Sequence, residues 1–122
     1  MSIQVTEAEW KILEVLWQSA PRTIADITKT LHQATGWSRH VVITLLKRME
    51  EKGTVEADLS GKVKRYNPKV SQKEASIQET NKFLSHVFGG NASLLVSQLV
   101  DTGELTQEDL EEILKVFQKR KN

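Results

Sequence analysis

The apolar residues of this chain keep a helical spacing up to Gly53, alternate with polar ones between Val55 and Asn67, and return to a helical spacing from Ser71 onward. Few architectures accept that order, because a 3.6-residue period and a two-residue period bury their apolar sides differently. The expected fold class is therefore mainly α with one small β-hairpin.

Each helical segment carries a start and a stop. Thr6-Glu7-Ala8-Glu9 places a threonine three residues ahead of a glutamate, the pattern of a reciprocal cap, and Trp10, Leu13, Leu16 and Trp17 follow as an apolar face widened by Ile12 and Val15. Two tryptophans spaced this way among leucines read as core residues, and Pro21 ends the segment. A second helix starts at Thr23 with Asp26 three residues on, uses Ile24, Ile27 and Leu31, and ends near Gly36. Ser38 caps a third, whose Val42, Leu45, Leu46 and Met49 sit at i, i+3, i+4 and i+7, with Gly53 as its stop.

The residues left over on that third helix face outward: Arg39, His40, Ile43, Thr44, Lys47 and Arg48, with Val41 at the border. A merely solvated face mixes both signs of charge, whereas Glu50 and Glu51 appear only in the last turn. Next, Val55, Ala57 and Leu59 alternate with Glu56 and Asp58, and Ser60-Gly61-Lys62 turns the chain into Val63-Lys64-Arg65-Tyr66-Asn67. Three helices and a hairpin with a basic tip are the pattern of a winged helix-turn-helix, in which the third helix enters the major groove of DNA.

Charge supports that expectation through its distribution rather than its total. The net charge of the 122 residues is +1, yet residues 1–70 carry eleven Lys/Arg against eight Asp/Glu, while residues 71–122 carry six against eight. The excess lies in two acid-free stretches, Ser38 to Met49 and Ser60 to Lys73, where a polyanion would be held. Lys62, Lys64 and Arg65 are the hairpin residues expected to contact phosphates.

From Ser71 the pattern is again helical. Ile77, Leu84 and Val87 share a face with Phe83 and Phe88 beside them; after Gly89-Gly90 come Leu94, Leu95 and Leu99; and Thr106 to Asp109 caps a last helix with Leu110, Ile113, Leu114 and Phe117 as its stripe. So few residues bury little surface alone, so these positions are expected to form a homodimer interface. The expected domains are a winged-helix DNA-binding domain at 1–70 and a helical dimerisation domain at 71–122.

Other function classes find little footing. The chain has no cysteine, and His32, His40 and His86 lie on different predicted helices without metal-ligand spacing, so no metal or cofactor is expected. There is no phosphate loop or nucleophile elbow, so no enzyme is expected either. No window reaches the roughly 18 consecutive apolar residues of a membrane span. The start, MSIQVTEAEW, has neither a basic lead nor an apolar signal segment, and a cytoplasmic location is expected. A winged-helix module that binds another protein through the same face is the leading alternative.

Several short motifs occur in an order and spacing that resemble the penicillinase-repressor family, which contains repressors of β-lactamase and methicillin-resistance genes and copper-responsive repressors. They are Thr6 to Trp10 with Trp17, Gly36-Trp37-Ser38, Thr44-Leu45-Leu46-Lys47-Arg48-Met49, Lys52-Gly53, Gly89-Gly90 and Leu105-Thr106-Gln107-Glu108. The resemblance implies a homodimeric repressor acting on a palindromic operator, with Thr44 and Arg48 matching recognition positions and Ser38 the cap. Val41, Ile43 and His40 depart from the family's polar or basic residues there. The cysteine-rich tail of the copper-responsive members is absent. In β-lactam-responsive members a sensor protease cuts the dimerisation part, at a bond that falls near Gln98-Leu99 here, without the familiar residue pair.

Overall fold

In the computed structural model, residues 4–121 are described, and the chain forms two compact units, Met1–Gln78 and Glu79–Asn122. The first contains α1 (Glu7–Gln18), β1 (Arg22–Thr23), α2 (Ile24–Thr35), α3 (Arg39–Lys52), β2 (Val55–Asp58) and β3 (Arg65–Pro68). A long helix, α4 (Gln72–Phe88), runs through the boundary, and α5 (Ala92–Asp101) and α6 (Gln107–Lys121) belong to the second unit.

The three expected helix starts of the first unit are formed by the residues that the sequence nominates. Thr6 Oγ1 accepts the Glu9 amide at 3.2 Å while Glu9 Oε1 accepts the Thr6 amide at 3.0 Å, so two otherwise unpartnered donors of α1 are satisfied. Thr23 and Asp26 repeat the arrangement on α2, and Ser38 Oγ accepts the Val41 amide on α3. Gly53 ends α3 at φ 83°, a left-handed conformation that favours glycine, and its amide donates to the carbonyls of Met49 and Glu50.

The apolar faces meet in one core. Ile12, Leu13, Val15 and Leu16 of α1 pack with Ile27 and Leu31 of α2, Val42, Leu45, Leu46 and Met49 of α3, and Val55 and Tyr66 of the sheet. Trp10, Trp17, Ile24 and Trp37 lie partly buried against it, the first two edge to face at 5.2 Å between ring centroids. Leu46 is completely buried, and truncating it to alanine is expected to cost about 2–5 kcal/mol. Val70 and Ala75 are also in this core, and Trp17 Nε1 donates to the Val70 carbonyl at 2.9 Å.

The sheet departs from expectation in two ways. It has three strands in the order β1-β3-β2, all antiparallel, because Arg22 and Thr23 pair with Tyr66 and Arg65. The hairpin is also shorter than the alternation implied. Val55 pairs with Pro68 and Asp58 with Arg65, which leaves residues 59–64 as the connecting loop. Leu59, expected on the buried side of a strand, is 72% exposed instead, and Val63 is exposed as well. The Ser60 amide donates to Asp58 Oδ1 at 2.9 Å, a local turn that draws the chain out of the ladder one residue early.

In the second unit Asn91 caps α5, and Thr106 and Asp109 cap α6 reciprocally at 2.9 and 3.2 Å. Phe83 and Phe88 meet edge to face at 5.9 Å. No described residue of α5 or α6 is buried. Leu94, Val96, Val100, Ile113, Leu114, Val116 and Phe117 are all exposed, with Phe117 at 63%. Among the described residues no single helix is long and apolar enough to cross a membrane.

Candidate nucleic-acid interface

Every residue expected to face outward on α3 does so. Val42, Leu45, Leu46 and Met49 are buried, and Arg39, His40, Val41, Ile43, Thr44, Lys47 and Arg48 are exposed. With 3.6 residues per turn, the order across the open face over residues 39–48 is Arg39, Ile43, Lys47, His40, Thr44, Arg48 and Val41, and Glu51 joins the same face in the last turn. Cations therefore stand at the edges and in the middle, with one aliphatic side chain near each margin. The first turn of α3 holds no acid, and among the described residues no ion pair engages Arg39, Lys47 or Arg48. Unneutralised cations on a rigid, packed helix are what a polyanion requires. Ser38 caps the helix, so its hydroxyl oxygen is already committed to an amide of the first turn.

The hairpin loop does not offer its basic residues equally. Lys62 is exposed and forms no ion pair among the described residues. Lys64 Nζ lies 3.3 Å from Glu50 Oε1 and 5.3 Å from the centre of the Tyr66 ring, so it bridges the loop to the last turn of α3. Its pKa is raised, chiefly by its hydrogen bond to Tyr66; desolvation opposes the shift, and Glu50 adds to it. Arg65 lies across the ladder from Asp58, whose carboxyl is held below its ordinary value mainly by hydrogen bonds from Ser60, with a smaller contribution from Arg65.

Two open depressions border this face. A crevice of about 250 Å³ is lined by Thr23, Ile24, Ala25, Arg39, Lys62, Val63 and Lys64, bringing the start of α2, the start of α3 and the loop together. A groove of about 490 Å³ over α2 is lined by Ala25, Thr28, Lys29, Thr30, His32, Gln33 and Arg39. Arg39 is common to both. Lys29 and the opening residues of α2 were not among the expected interface residues. The missing clue was spatial, since only the packing of α2 on α3 places them beside Arg39. Among the described residues no group of three or more His, Cys, Asp or Glu is arranged to hold a metal ion.

Comparison with known proteins decides what kind of molecule carries this face. The family model described as penicillinase repressor matches residues 5–119. The chain belongs to the penicillinase repressor family. This is a family of repressors, not of enzymes. The penicillinase repressor of Bacillus licheniformis is 23% identical over 119 residues, covering 98% of this chain and 93% of that protein. The methicillin resistance regulatory protein MecI of Mammaliicoccus sciuri is 22% identical over 117 residues, covering 96% and 95%.

The likeness extends to structure. The solution structure of the DNA-binding domain of the repressor BlaI matches with a TM-score of 0.53 at 25% identity, over 59% of this chain and 88% of that one. The monomeric form of Bacillus licheniformis BlaI in complex with the blaP half-operator matches with a TM-score of 0.54 at 26% identity, over 60% and 90%. The expected fold class, a winged helix with a mainly helical remainder, is thus borne out. This member of the penicillinase repressor family presents Val41 and Ile43 on the outward face of a capped, core-packed α3.

Proposed function

We propose that this chain is a transcriptional repressor that binds a palindromic operator as a homodimer, from a cytoplasmic location. The observation that carries the reading is the outward face of α3, free of acids from Arg39 to Met49, whose Arg39, Lys47 and Arg48 are exposed and outside any described ion pair. A solved relative with the same fold is in complex with a half-operator. In this reading α3 lies in the major groove, Thr44, Ile43, Val41 and His40 approach base edges, and Lys47 and Arg48 anchor phosphates, with Ser38 fixing the start of the helix. Lys62, Lys64 and Arg65 lie beside the neighbouring backbone, and the crevice that Lys62 and Lys64 share with Arg39 seats one phosphate.

Residues 1–70 supply the DNA-binding function and residues 71–122 the dimerisation function. The exposed aliphatic and aromatic residues of the second unit support dimerisation, since no described residue of α5 or α6 is fully buried within the chain. Ile77, Phe83, Leu84, Val87 and Phe88 on α4 join Leu94, Leu95, Leu99, Leu110, Ile113, Leu114 and Phe117 in the paired surface. Two copies would place their α3 helices in successive major grooves roughly 34 Å apart and block a promoter sterically.

Induction by a sensor protease at Gln98–Leu99 is part of this proposal. That bond sits in the last turn of α5, where the Gln98 carbonyl accepts the Thr102 amide at 3.0 Å and the Leu99 carbonyl accepts the Leu105 amide at 3.0 Å. Cutting there first requires the turn to unwind. The central test is titration of labelled DNA fragments from the protein's own locus at two salt concentrations. One fragment should bind with a steep loss of affinity as salt rises, and equal, salt-insensitive binding of all fragments would end the proposal.

A further inference from the structure

Val41 and Ile43 are 37% and 39% exposed on a helix whose core positions are already filled by Val42, Leu45, Leu46 and Met49. The interior of the unit therefore has no use for them. Both are β-branched, a slightly unfavourable choice for an exposed helix position, so packing and propensity alike leave them unexplained. Arg39 and Lys47 flank Ile43 across the face and Arg48 flanks Val41, which makes the surroundings poorly suited to an apolar protein partner. A polyanion that carries isolated methyl groups suits it, and the major groove of DNA offers one such group, the 5-methyl of thymine.

Thr44, which lies between these two side chains, strengthens the case. Its Oγ1 donates to the His40 carbonyl at 3.0 Å, so the hydroxyl proton is already used inside the helix. What remains for a base is a methyl group and an acceptor lone pair. Of Val41, Ile43 and Thr44, none has a free donor with which to read a purine edge, which leaves that to His40 and the cations.

We infer that α3 selects its DNA chiefly through thymine methyl groups packed against Val41, Ile43 and Thr44, with the surrounding cations holding the backbone. This rests on the operator-binding reading and adds the base and the atom that are recognised. Half-sites should carry thymine on both strands where the two margins of the helix approach, and a pyrimidine lacking the 5-methyl should bind less well there.

The test uses the full-length protein and a duplex enriched by it from a random-sequence pool, resynthesised with deoxyuridine in place of thymidine. Fluorescence anisotropy should show a loss of roughly fourfold for each contacted methyl removed. The Val41→Ala/Ile43→Ala variant should bind the thymidine duplex more weakly and discriminate little between the two duplexes. Thr44→Ser, which keeps the hydroxyl but not the methyl, should lose part of the discrimination. Equal affinity of the wild-type protein for both duplexes, or discrimination undiminished in the double variant, overturns thymine-methyl recognition while leaving operator binding intact. Failure to enrich any duplex overturns both.

Discussion

Lys52 Nζ lies 2.8 Å from Glu9 Oε1 and ties the last turn of α3 to the first turn of α1. The same ammonium donates to Glu9 Oε2 and to the Gln4 carbonyl, each at 3.0 Å. Glu9 is only 1% exposed, so its carboxylate has exchanged water for one cation and the Thr6 amide. One carboxylate thus completes the cap of α1 and fixes the far end of α3.

Removing the cation alone should be costly. Lys52→Met leaves the carboxylate enclosed without its partner, and it should destabilise the first unit by about 2–3 kcal/mol, below the range for fully buried pairs because Lys52 is partly exposed. Adding Glu9→Gln, which keeps a capping acceptor, should recover most of the loss. Urea unfolding of the single and double variants would measure both effects, and a double variant no more stable than Lys52→Met would contradict the assignment.

Phosphate and base contacts separate by their response to salt. Arg48→Ala and Lys47→Ala should each lower the slope of log affinity against log salt by about one, Arg48→Ala weakening operator binding by about 1–3 kcal/mol, whereas Thr44→Ala, at a base edge, should leave the slope unchanged. Titrations at several salt concentrations distinguish the two.

The Glu50–Lys64 pair engages a hairpin cation that the proposed function sets beside the DNA backbone. Glu50→Gln removes that competitor and one negative charge near the groove, so affinity at low salt should rise by at most about 1 kcal/mol. A fall in affinity would mean instead that the pair's main role is to position the loop.

The proposed self-association of the second unit should respond to mutation of its exposed stripe. Leu114→Glu or Phe117→Glu should weaken self-association by roughly 2 kcal/mol or more and leave the fold of the first unit unchanged. Sedimentation equilibrium, together with circular dichroism, would read both properties.

Acid should loosen α6 at its cap. The Asp109 carboxyl is held below its ordinary value of 3.8 by hydrogen bonds with the backbone and side chain of Thr106. A carboxylate shifted down contributes its stabilisation above that ordinary value and loses it as pH falls through the folded-state pKa. Helicity followed from pH 6 toward pH 2, a range of roughly four units, should therefore drop at the acid end in the wild type, with a smaller change in Asp109→Asn.

What the sequence made legible was local. Thr6 with Glu9, Thr23 with Asp26 and Ser38 all cap helices because a cap needs only residues two or three apart. Val42, Leu45, Leu46 and Met49 are buried because one periodicity decides them together. The interactions missed were those made at a distance. Arg22 and Thr23 become a strand only against β3, and two residues beside Pro21 carry no alternation of their own. Lys64 finds Glu50 fourteen residues away, and Lys52 finds Glu9 forty-three away. The loop limits were misjudged because Asp58 turns its carboxylate on Ser60, a choice that alternation cannot register.

The position of Ala75 has a practical consequence. Because Val70 and Ala75 plug the base of the N-terminal core and Trp17 grips the Val70 carbonyl, a fragment trimmed at Pro68 would be missing two stoppers and one anchor. A stand-alone reader domain should therefore be cut within α4, after Gln78, where the first compact unit ends.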